Sequence, residues 1–349
     1  MGSVIEMILF AFMIAVSLYI ARLRSLFAAA MLFGIFSLLS AGMLTLMDAV
    51  DVAFTEAAVG AGISMVLILG ALGLTTSDES SPVHHRWSAK LVVILTGLAL
   101  AYGTLDMPSY GDPEAPIHEH VAPHYLEDST EEIGIPNVVT SVLASYRGYD
   151  TFGETTVVLT AAVGAIALLG GGAGRRRRRD GEGLAMSDSS AHGSFPEDGV
   201  DGSTPLKMRV QETIVLRVVG KALIPFVILF ALYVQFHGDY GPGGGFQAGV
   251  ICAAGLILHA LIFGLDSLRV AIPPLVVEIG IALGALLYGG VGVVSILLGG
   301  DFLDYGLLDA QHPTHGQHLG ILLVELGVGI TVTFVMVGIF YVFAGRPKQ

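Results

Sequence analysis

Charged residues and cysteine are both scarce in this sequence. Asp, Glu, Lys and Arg make up 13% of the 349 residues, against 53% hydrophobic residues and a mean hydropathy of +0.73. This balance excludes an ordinary soluble domain, in which about 25% of residues are charged. The single cysteine, Cys252, excludes an internal disulfide and an iron–sulfur cluster held by this chain alone. We therefore expect no resident cofactor.

Apolar runs dominate the sequence. Nine of them are long enough to cross about 30 Å of hydrocarbon as helices: 4–21, 25–47, 50–75, 89–106, 152–172, 213–236, 245–265, 273–299 and 318–344. They are continuous, whereas β-barrel strands alternate polar and apolar residues. The sequence predicts an all-α, polytopic membrane protein with about nine transmembrane helices. The first run lacks the positive start and cleavage site of a signal peptide, so we expect it to be retained.

Basic residues sort to one side of these spans. If the N-terminus is external, 16 of the 17 Lys and Arg residues fall in cytoplasmic segments, and Arg147 is the exception. Because cytoplasmic loops are enriched in Lys and Arg, this sorting predicts an external N-terminus and a cytoplasmic C-terminus.

The most polar internal stretch, 173–207, contains the run Arg175 to Arg179, followed by a segment rich in Gly, Glu, Ser and Asp. It is interpreted as a poorly ordered cytoplasmic linker between two membrane modules. The arginines are expected to anchor the topology and to bind anionic lipid head groups rather than nucleic acid.

The loop 106–150 is long and acidic. It is either a solvated cap or a funnel that raises the local concentration of cations. Its residues His118, Glu119, His120 and His124 are metal ligands by type, but their spacing matches no standard zinc pattern. No metal site is predicted.

Ionisable residues inside the spans are expensive in hydrocarbon and are candidates for an ion or proton path. Asp51 has a simpler explanation, in which Asp48 caps the third helix and Asp51 supports its first turn. Glu154 could equally pair with Arg147, and Lys221 could extend to the cytoplasmic surface. The candidates for the path are Asp51, Glu56, Glu154, Lys221, His259, Glu278 and Glu325.

A glycine-rich turn, His237-Gly-Asp-Tyr-Gly-Pro-Gly-Gly-Gly-Phe246, separates the sixth and seventh runs. Proline fixes the backbone, and successive glycines allow left-handed conformations and close approach of a neighbour. The turn lacks the Lys-Ser/Thr ending of a phosphate-binding loop. We predict a packing role for His237, Pro242, Gly243, Gly244, Gly245 and Phe246.

Three segments resemble known families. Residues 210–344, with the Pro242-Gly-Gly-Gly-Phe-Gln247 core, resemble the B-type component of the multisubunit Mrp (Mnh) cation/proton antiporters. Residues 1–75, with Asp51-Val-Ala-Phe-Thr-Glu56, resemble the D-type component of membrane-bound hydrogenases. Residues 88–172, with Pro136-Asn-Val-Val-Thr140 and Tyr146-Arg-Gly-Tyr-Asp-Thr-Phe-Gly-Glu154, resemble the E-type component of the same hydrogenases. Such D- and E-type domains usually end the large A-type component of Mrp systems.

The resemblance implies four parts: a D-like domain of three helices at 1–75, an E-like domain at 76–172, the linker at 173–207 and a B-like domain at 208–349. It also implies a helical bulge near Gly60 and Gly62, and a cation or proton path that includes Glu56 and Glu154. The interpretation as a transporter adds Glu325, which lies deep in the ninth run, to this path. The expected partners are the large antiporter-like A- and D-type subunits, the small C-, E-, F- and G-type subunits, and the lipid bilayer.

No nucleophile with an adjacent base is visible, so the chain is not expected to be an enzyme. The favoured interpretation is a subunit of a Na⁺ or K⁺/proton antiporter in the inner cell membrane. One alternative is an accessory module of a redox-driven ion pump, such as a membrane-bound hydrogenase or another relative of complex I. Another is a structural spacer whose carboxylates form buried pairs.

Overall fold

The computed structural model describes residues 2–72, 86–183 and 214–345, with side chains in 4–72, 87–169 and 214–345. Within these ranges it has no strand, and it has nine helices of 18 or more residues. They are α1 Gly2–Ile20, α2 Leu26–Leu46, α3 Val50–Leu72, α4 Arg86–Gly103, α5 Gly148–Gly183, α6 Ile214–His237, α7 Gly245–Phe263, α8 Pro274–Leu297 and α9 Pro313–Ala344. The all-α prediction is confirmed.

Eight helices of the described ranges are long and apolar enough to cross a membrane, and the ninth apolar segment, Val4–Ile20 of α1, is shorter. This agrees with the prediction of about nine transmembrane helices. The side of the membrane on which each terminus lies stays a prediction.

Helix α3 is irregular at its centre. Its residues Ala57–Ile63 form a π-helical turn between the α-helical segments Val50–Glu56 and Ser64–Leu72. The predicted bulge near Gly60 and Gly62 is present. A Cβ built on Gly60 would lie 2.5 Å from Ser37 Oγ and 2.7 Å from Glu56 Oε1, so only glycine allows α2 and α3 to approach this closely.

The start of α3 differs from the capping explanation given for Asp48 and Asp51. Asp48 has a φ of 58°, outside the cap geometry, and Ala49 precedes the first helical residue without a side-chain capping bond. An aspartate at positive φ is tolerated where the chain turns sharply. Asp51 is consequently free to contact another part of the chain.

Helix α9 is the centre of the bundle and packs against α5, α7 and α8. Glycines bring its backbone close to its neighbours: a Cβ on Gly327 would lie 2.8 Å from Gly284 O of α8, and one on Gly249 of α7 would lie 2.7 Å from Gly329 O. Small residues at such crossings allow van der Waals packing to hold helices together in a membrane. By contrast, the apolar surface of α4 is exposed along its length.

Helix α5 extends past its predicted end at residue 172 to Gly183, so the first part of the predicted linker has a helical backbone. Arginine is a good helix former, which favours this continuation. The described residues do not include the side chains of Arg175 to Arg179 or any part of 184–213. The predicted disorder of the linker lies in this part of the chain and stays a prediction.

The acidic loop between α4 and α5 is folded. It contains short helices at Pro116–Glu119, Val121–Glu127, Ser129–Glu132 and Val138–Thr140, followed by a π-helical turn at Ser141–Tyr146. Ile133 and Ile135 are 3% and 1% exposed and belong to the main hydrophobic core. The loop therefore packs onto the bundle, and its second half positions polar groups over the glycine-rich turn.

Candidate functional site

The glycine-rich turn connects α6 to α7 and folds back on itself. Gly244 N donates to Val234 O at 3.1 Å, and Gly244 adopts a φ of +119°, which side chains strongly disfavour. A Cβ on Gly243 would lie 2.8 Å from Val234 O, and one on Gly245 would lie 2.0 Å from Glu325 O. Each of the three consecutive glycines is therefore required by a backbone conformation or a close contact.

The acidic loop holds this turn from the other side. Asn137 Nδ2 donates to the carbonyl oxygens of Gly238 and Gly241 at 2.8 and 3.0 Å, and Thr140 Oγ1 donates to Gly238 O at 2.7 Å. The backbone N–H of Asn137 also donates to Asp239 O. These bonds provide partners for carbonyl groups of the turn. A buried backbone carbonyl without a hydrogen-bond partner would be costly.

Helix α3 supplies two further contacts. Asp51 Oδ1 accepts from Gly243 N at 3.3 Å, and Gln247 Nε2 donates to Thr55 Oγ1 at 2.9 Å. Asp51 and Thr55 are one helical turn apart and so lie on the same face. The turn is thus bound by polar groups from α3 and from the acidic loop.

A cavity of about 330 Å³ lies between these elements. Three carboxylates line it: Asp51 from α3, Glu154 from α5 and Glu325 from α9. Glu325 lies against the turn, since Cβ atoms on Gly244 and Gly238 would be 3.0 and 3.2 Å from its two oxygens. Asp51 and Glu325 are half-buried, whereas Glu154 is exposed and marks the accessible side of the cavity.

The cavity has an unbalanced charge. Its lining residues, all in the described part of the chain, include no Lys, Arg or His. One explanation of Glu154 was an ion pair with Arg147. Arg147 pairs with Asp150 instead, with 2.5 Å between Nη2 and Oδ2. Carboxylates near one another without a counter-charge favour binding a cation or a proton. Thr55 Oγ1 and the Gln247 side chain add further oxygen atoms of the kind that coordinate alkali cations.

Four other candidates lie away from the cavity lining. Glu56 lies beside Gly60 and Ser37 at the interface of α3 with α2. Lys221 is exposed near the start of α6, and Glu278 is exposed near the start of α8, about 15 Å along the helix from the cavity residue Tyr288. His259 contacts Ser267 Oγ at 3.1 Å, about 18 Å along α7 from Gln247. Their roles in an ion path stay predictions.

The remaining residues of the turn have distinct surroundings. His237 stacks on Tyr233 with ring centroids 4.9 Å apart, Pro242 is exposed, and Phe246 lines the cavity. Asp239 is buried and contacts His318 Nε2 of α9 at 2.8 Å. Sequence reasoning assigned no role to Asp239, His318, Asn137, Thr55 or Gln247. Gln247 and Asp239 could have been found, because both lie within or directly beside the glycine-rich turn.

Comparison with known proteins places the parts of the chain in families. Residues 215–338 match the model of a domain related to the MnhB subunit of Na⁺/H⁺ antiporter. Residues 11–77 match the MbhD model, which describes the D component of MBH, and residues 85–188 match the MbhE model, which describes its E component.

Two relatives and one solved structure cover different lengths of the chain. A probable K⁺/H⁺ antiporter A/B subunit of Rhizobium meliloti (strain 1021) is 27% identical over 290 residues, 81% of this chain and 28% of that protein. The putative antiporter protein mnhB2 of Staphylococcus haemolyticus (strain JCSC1435) is 31% identical over 137 residues, 39% of this chain and 96% of that protein. The structure of the Mrp complex from Dietzia sp. DQ12-45-1b has a chain that shares the fold, with a TM-score of 0.74 and 24% identity over 98% of this chain.

The chain spans about 28% of the A/B relative and 35% of the Dietzia chain, but nearly all of the staphylococcal protein is represented within it. Its second membrane module carries that match, and the D- and E-type domains precede it. The chain therefore belongs to the family of Mrp-type antiporter subunits related to MnhB, with MbhD- and MbhE-type domains joined on its amino-terminal side.

Proposed function

We propose that this chain is a subunit of a Mrp-type antiporter that exchanges Na⁺ or K⁺ for protons, and that its cavity is part of the ion path. The observation that carries the proposal is the meeting of Asp51, Glu154 and Glu325 in one cavity lined by no basic side chain. These residues come from the parts of the chain that match MbhD, MbhE and MnhB, respectively.

The chemistry of the cavity suits exchange. A partly buried carboxylate gains stability by binding either a proton or a cation, because each neutralises a charge that is costly away from water. Since both ligands compete for the same oxygens, a change in proton concentration changes cation occupancy. Glu154 is the exposed carboxylate, so a cation or proton can reach it from the surface. Asp51 and Glu325 are less exposed and lie against the glycine-rich turn.

The proposed partners are the other subunits of such a complex: the large antiporter-like A- and D-type subunits and the small C-, E-, F- and G-type subunits, in the inner cell membrane. The exposed apolar surfaces of α1 and α4 support this proposal, because they need lipid or another protein to cover them. The names of the relatives, which refer to a K⁺/H⁺ antiporter and to an Mrp complex, support it as well.

A second candidate is an accessory module of a redox-driven ion pump. It is favoured by the matches of 11–77 and 85–188 to MbhD and MbhE, the D and E components of MBH. Purification in mild detergent decides between the two. Antiporter-like subunits without iron or nickel support the antiporter, whereas co-purifying subunits that contain iron–sulfur or nickel centres support the pump.

The ion path is tested by comparing glutamates inside and outside the cavity. Glu325→Gln and Glu154→Gln should each abolish cation-dependent proton exchange in membrane vesicles while the complex still assembles. Glu127→Gln is the matched control, since Glu127 is exposed in the acidic loop, does not line the cavity and is not a candidate for the path. Normal exchange in both cavity variants would exclude this path.

A further inference from the structure

Three metal-ligand side chains meet where the loop after α8 enters α9. Asp309 ends a short 3₁₀ helix, Tyr305–Asp309, and His312 and His315 flank Pro313 at the start of α9. One ligand atom from each lies within 4.8 Å of the other two, and no other such group is found among the described residues. We propose that Asp309, His312 and His315 form a binding site for a first-row divalent cation, with Zn²⁺ as the best-suited ion.

The distances leave room for an ion between the side chains. Asp309 Oδ2 lies 3.9 Å from Nδ1 of both His312 and His315, too far for hydrogen bonds. Ligand atoms around a tetrahedral zinc ion, with bonds of about 2.1 Å, lie about 3.4 Å apart. The two Asp309–imidazole distances must therefore shorten by about half an ångström. The ligand atoms of His312 and His315, which lie within 4.8 Å of each other, must approach by at most about 1.4 Å. Rotation of exposed side chains can supply both movements.

The carboxylate is already oriented for this role. Asp309 Oδ1 accepts from the backbone N–H groups of Gln311 and His312 at 3.1 and 3.2 Å, which leaves Oδ2 directed to the imidazoles. The two imidazole rings stack with centroids 5.2 Å apart. Hydrogen bonds that orient a ligand in this way raise metal affinity.

The backbone that carries the ligands is held firmly. A Cβ on Gly316 would lie 2.5 Å from Tyr305 O and 3.0 Å from Asp309 N, so the first turn of α9 directly contacts the short helix. Tyr305 is fully buried and donates to Ala144 O at 2.9 Å. A rigid scaffold of this kind reduces the ordering cost of binding.

Charge and ligand type select the class of ion. The sequence has no Lys or Arg between Arg269 and Arg346, and the same loop carries Asp301 and Asp304. Imidazole nitrogens favour zinc, copper and nickel over magnesium and calcium, which prefer all-oxygen sites. Three protein ligands leave a coordination position for water. A bound ion would connect the loop to α9, the helix that carries His318 and Glu325.

Zinc binding to the purified assembly that contains this chain tests the site. Zn²⁺ is titrated against a fluorescent chelator, and Co²⁺ is used as a spectroscopic probe of nitrogen ligation. His315→Ala and Asp309→Asn should each remove one bound Zn²⁺ per chain or weaken its affinity more than about tenfold, because even loss of a residue that only orients a ligand has effects of about 10-fold to 100-fold.

The matched control is the double variant His118→Ala/His120→Ala, which removes two exposed histidines of the acidic loop. It should bind Zn²⁺ as the unmodified chain does. Thermal melting without metal should be the same in all variants. His315 is 75% exposed, and Asp309→Asn keeps an oxygen that can accept from the backbone N–H groups of Gln311 and His312. Equal zinc binding by His315→Ala and the unmodified chain, or no zinc binding by the latter, would overturn the proposal.

Discussion

The Asp51 carboxylate accepts a hydrogen bond from the backbone amide of Gly243, which lies 192 residues later in the sequence. This contact joins the start of α3 to the glycine-rich turn between α6 and α7. It also explains why Asp51 does not serve its own helix: the carboxylate satisfies an amide of the turn and at the same time lines the cavity. One side chain therefore links the packing of the turn to the charge of the proposed path.

The two roles of Asp51 can be separated by substitution. Asp51→Asn keeps an oxygen that accepts from Gly243 N but removes the charge, so we expect normal thermal stability and loss of cation-dependent proton exchange. Asp51→Ala also leaves a buried amide unpaired, which costs about 1–3 kcal/mol, and should lower the melting temperature as well. Melting and vesicle exchange assays of both variants measure the two effects. Normal exchange by Asp51→Asn would show that only the hydrogen bond matters.

Gly245→Ala should destabilise the protein through a steric clash. Its Cβ would lie 2.0 Å from Glu325 O, a backbone atom that cannot rotate away, and overpacking of this kind typically costs about 1–3 kcal/mol. We expect a lower melting temperature and less assembled complex. The same argument applies to Gly244→Val, because Gly244 has a positive φ and lies against Glu325.

Gly290→Ala is the control for the glycine substitutions. Gly290 lies inside α8, and a Cβ there would meet nothing within 4 Å. Alanine stabilises a helix interior by roughly 0.5–1 kcal/mol relative to glycine, so its melting temperature should be unchanged or higher. If Gly245→Ala melts at the same temperature as Gly290→Ala, the close packing of the turn on α9 is wrong.

Asn137→Ala should loosen the contact between the acidic loop and the turn. It removes the donor to Gly241 O and one of the two side-chain donors to Gly238 O, which Thr140 still holds, and a carbonyl group left without a partner costs about 1–3 kcal/mol. We expect a lower melting temperature and faster hydrogen exchange in the turn. Thr104→Ala is the control, since Thr104 is exposed and its hydroxyl donates to Ala101 O, three residues earlier and far from the turn in sequence. Unchanged exchange protection in Asn137→Ala would contradict this role.

The predicted membrane orientation can be tested by cysteine labelling in a Cys252→Ser background. A cysteine replacing exposed Ser109 of the acidic loop should react with a membrane-impermeant reagent added outside the cell. A cysteine replacing Asp266, whose side chain is 100% exposed in the short helix Leu265–Ala271, should react only after permeabilisation. Reaction of Asp266→Cys in intact cells would reverse the predicted orientation.

The sequence identified each of the three cavity carboxylates as a candidate, but it did not predict that they would line the same cavity. Asp51, Glu154 and Glu325 stand out because charge is rare in apolar spans. Glu278 and Lys221 satisfy the same rule, yet they lie elsewhere. Hydropathy defines where a helix lies along the chain, and it carries little information on which helices are neighbours. The glycines of α7 and α9, which set those neighbours, can be interpreted only once the helices are placed.

Uncharged polar residues were harder to predict. Asn137 and Thr140 belong to a segment of the acidic loop whose contact with the turn is made across about a hundred residues of sequence. Neither has a charge that would be costly in a membrane, and the motif Pro136–Thr140, which carries the E-type resemblance, does not indicate what their side chains contact. The bulge in α3 was expected from the resemblance of residues 1–75 to the D-type family, and a carboxylate followed by small residues fits a locally irregular helix.

Tyr305→Phe should change how stability depends on alkaline pH. Tyr305 is fully buried between Gly320 and Ala144, and burial, with the nearby Tyr288, raises the pKa of its hydroxyl well above the usual value of 10.0. The raised pKa means that its contribution to stability is complete below pH 10. Above pH 10 the unfolded chain loses this proton while the folded chain keeps it, so stability falls by up to about 1.4 kcal/mol per pH unit from this group.

Without this hydroxyl, the Phe variant should be less stable near pH 8, because Ala144 O loses its donor, but its stability should decline less steeply above pH 10. Tyr240→Phe is the control, since Tyr240 is 70% exposed and its substitution removes a hydroxyl from the surface rather than from the interior. Melting temperatures measured from pH 8 to pH 11 compare the three proteins. If the melting temperatures of Tyr305→Phe and the unmodified chain decline equally with pH, the Tyr305 hydroxyl is accessible to water. The short helix Tyr305–Asp309 would then not pack closely against the start of α9.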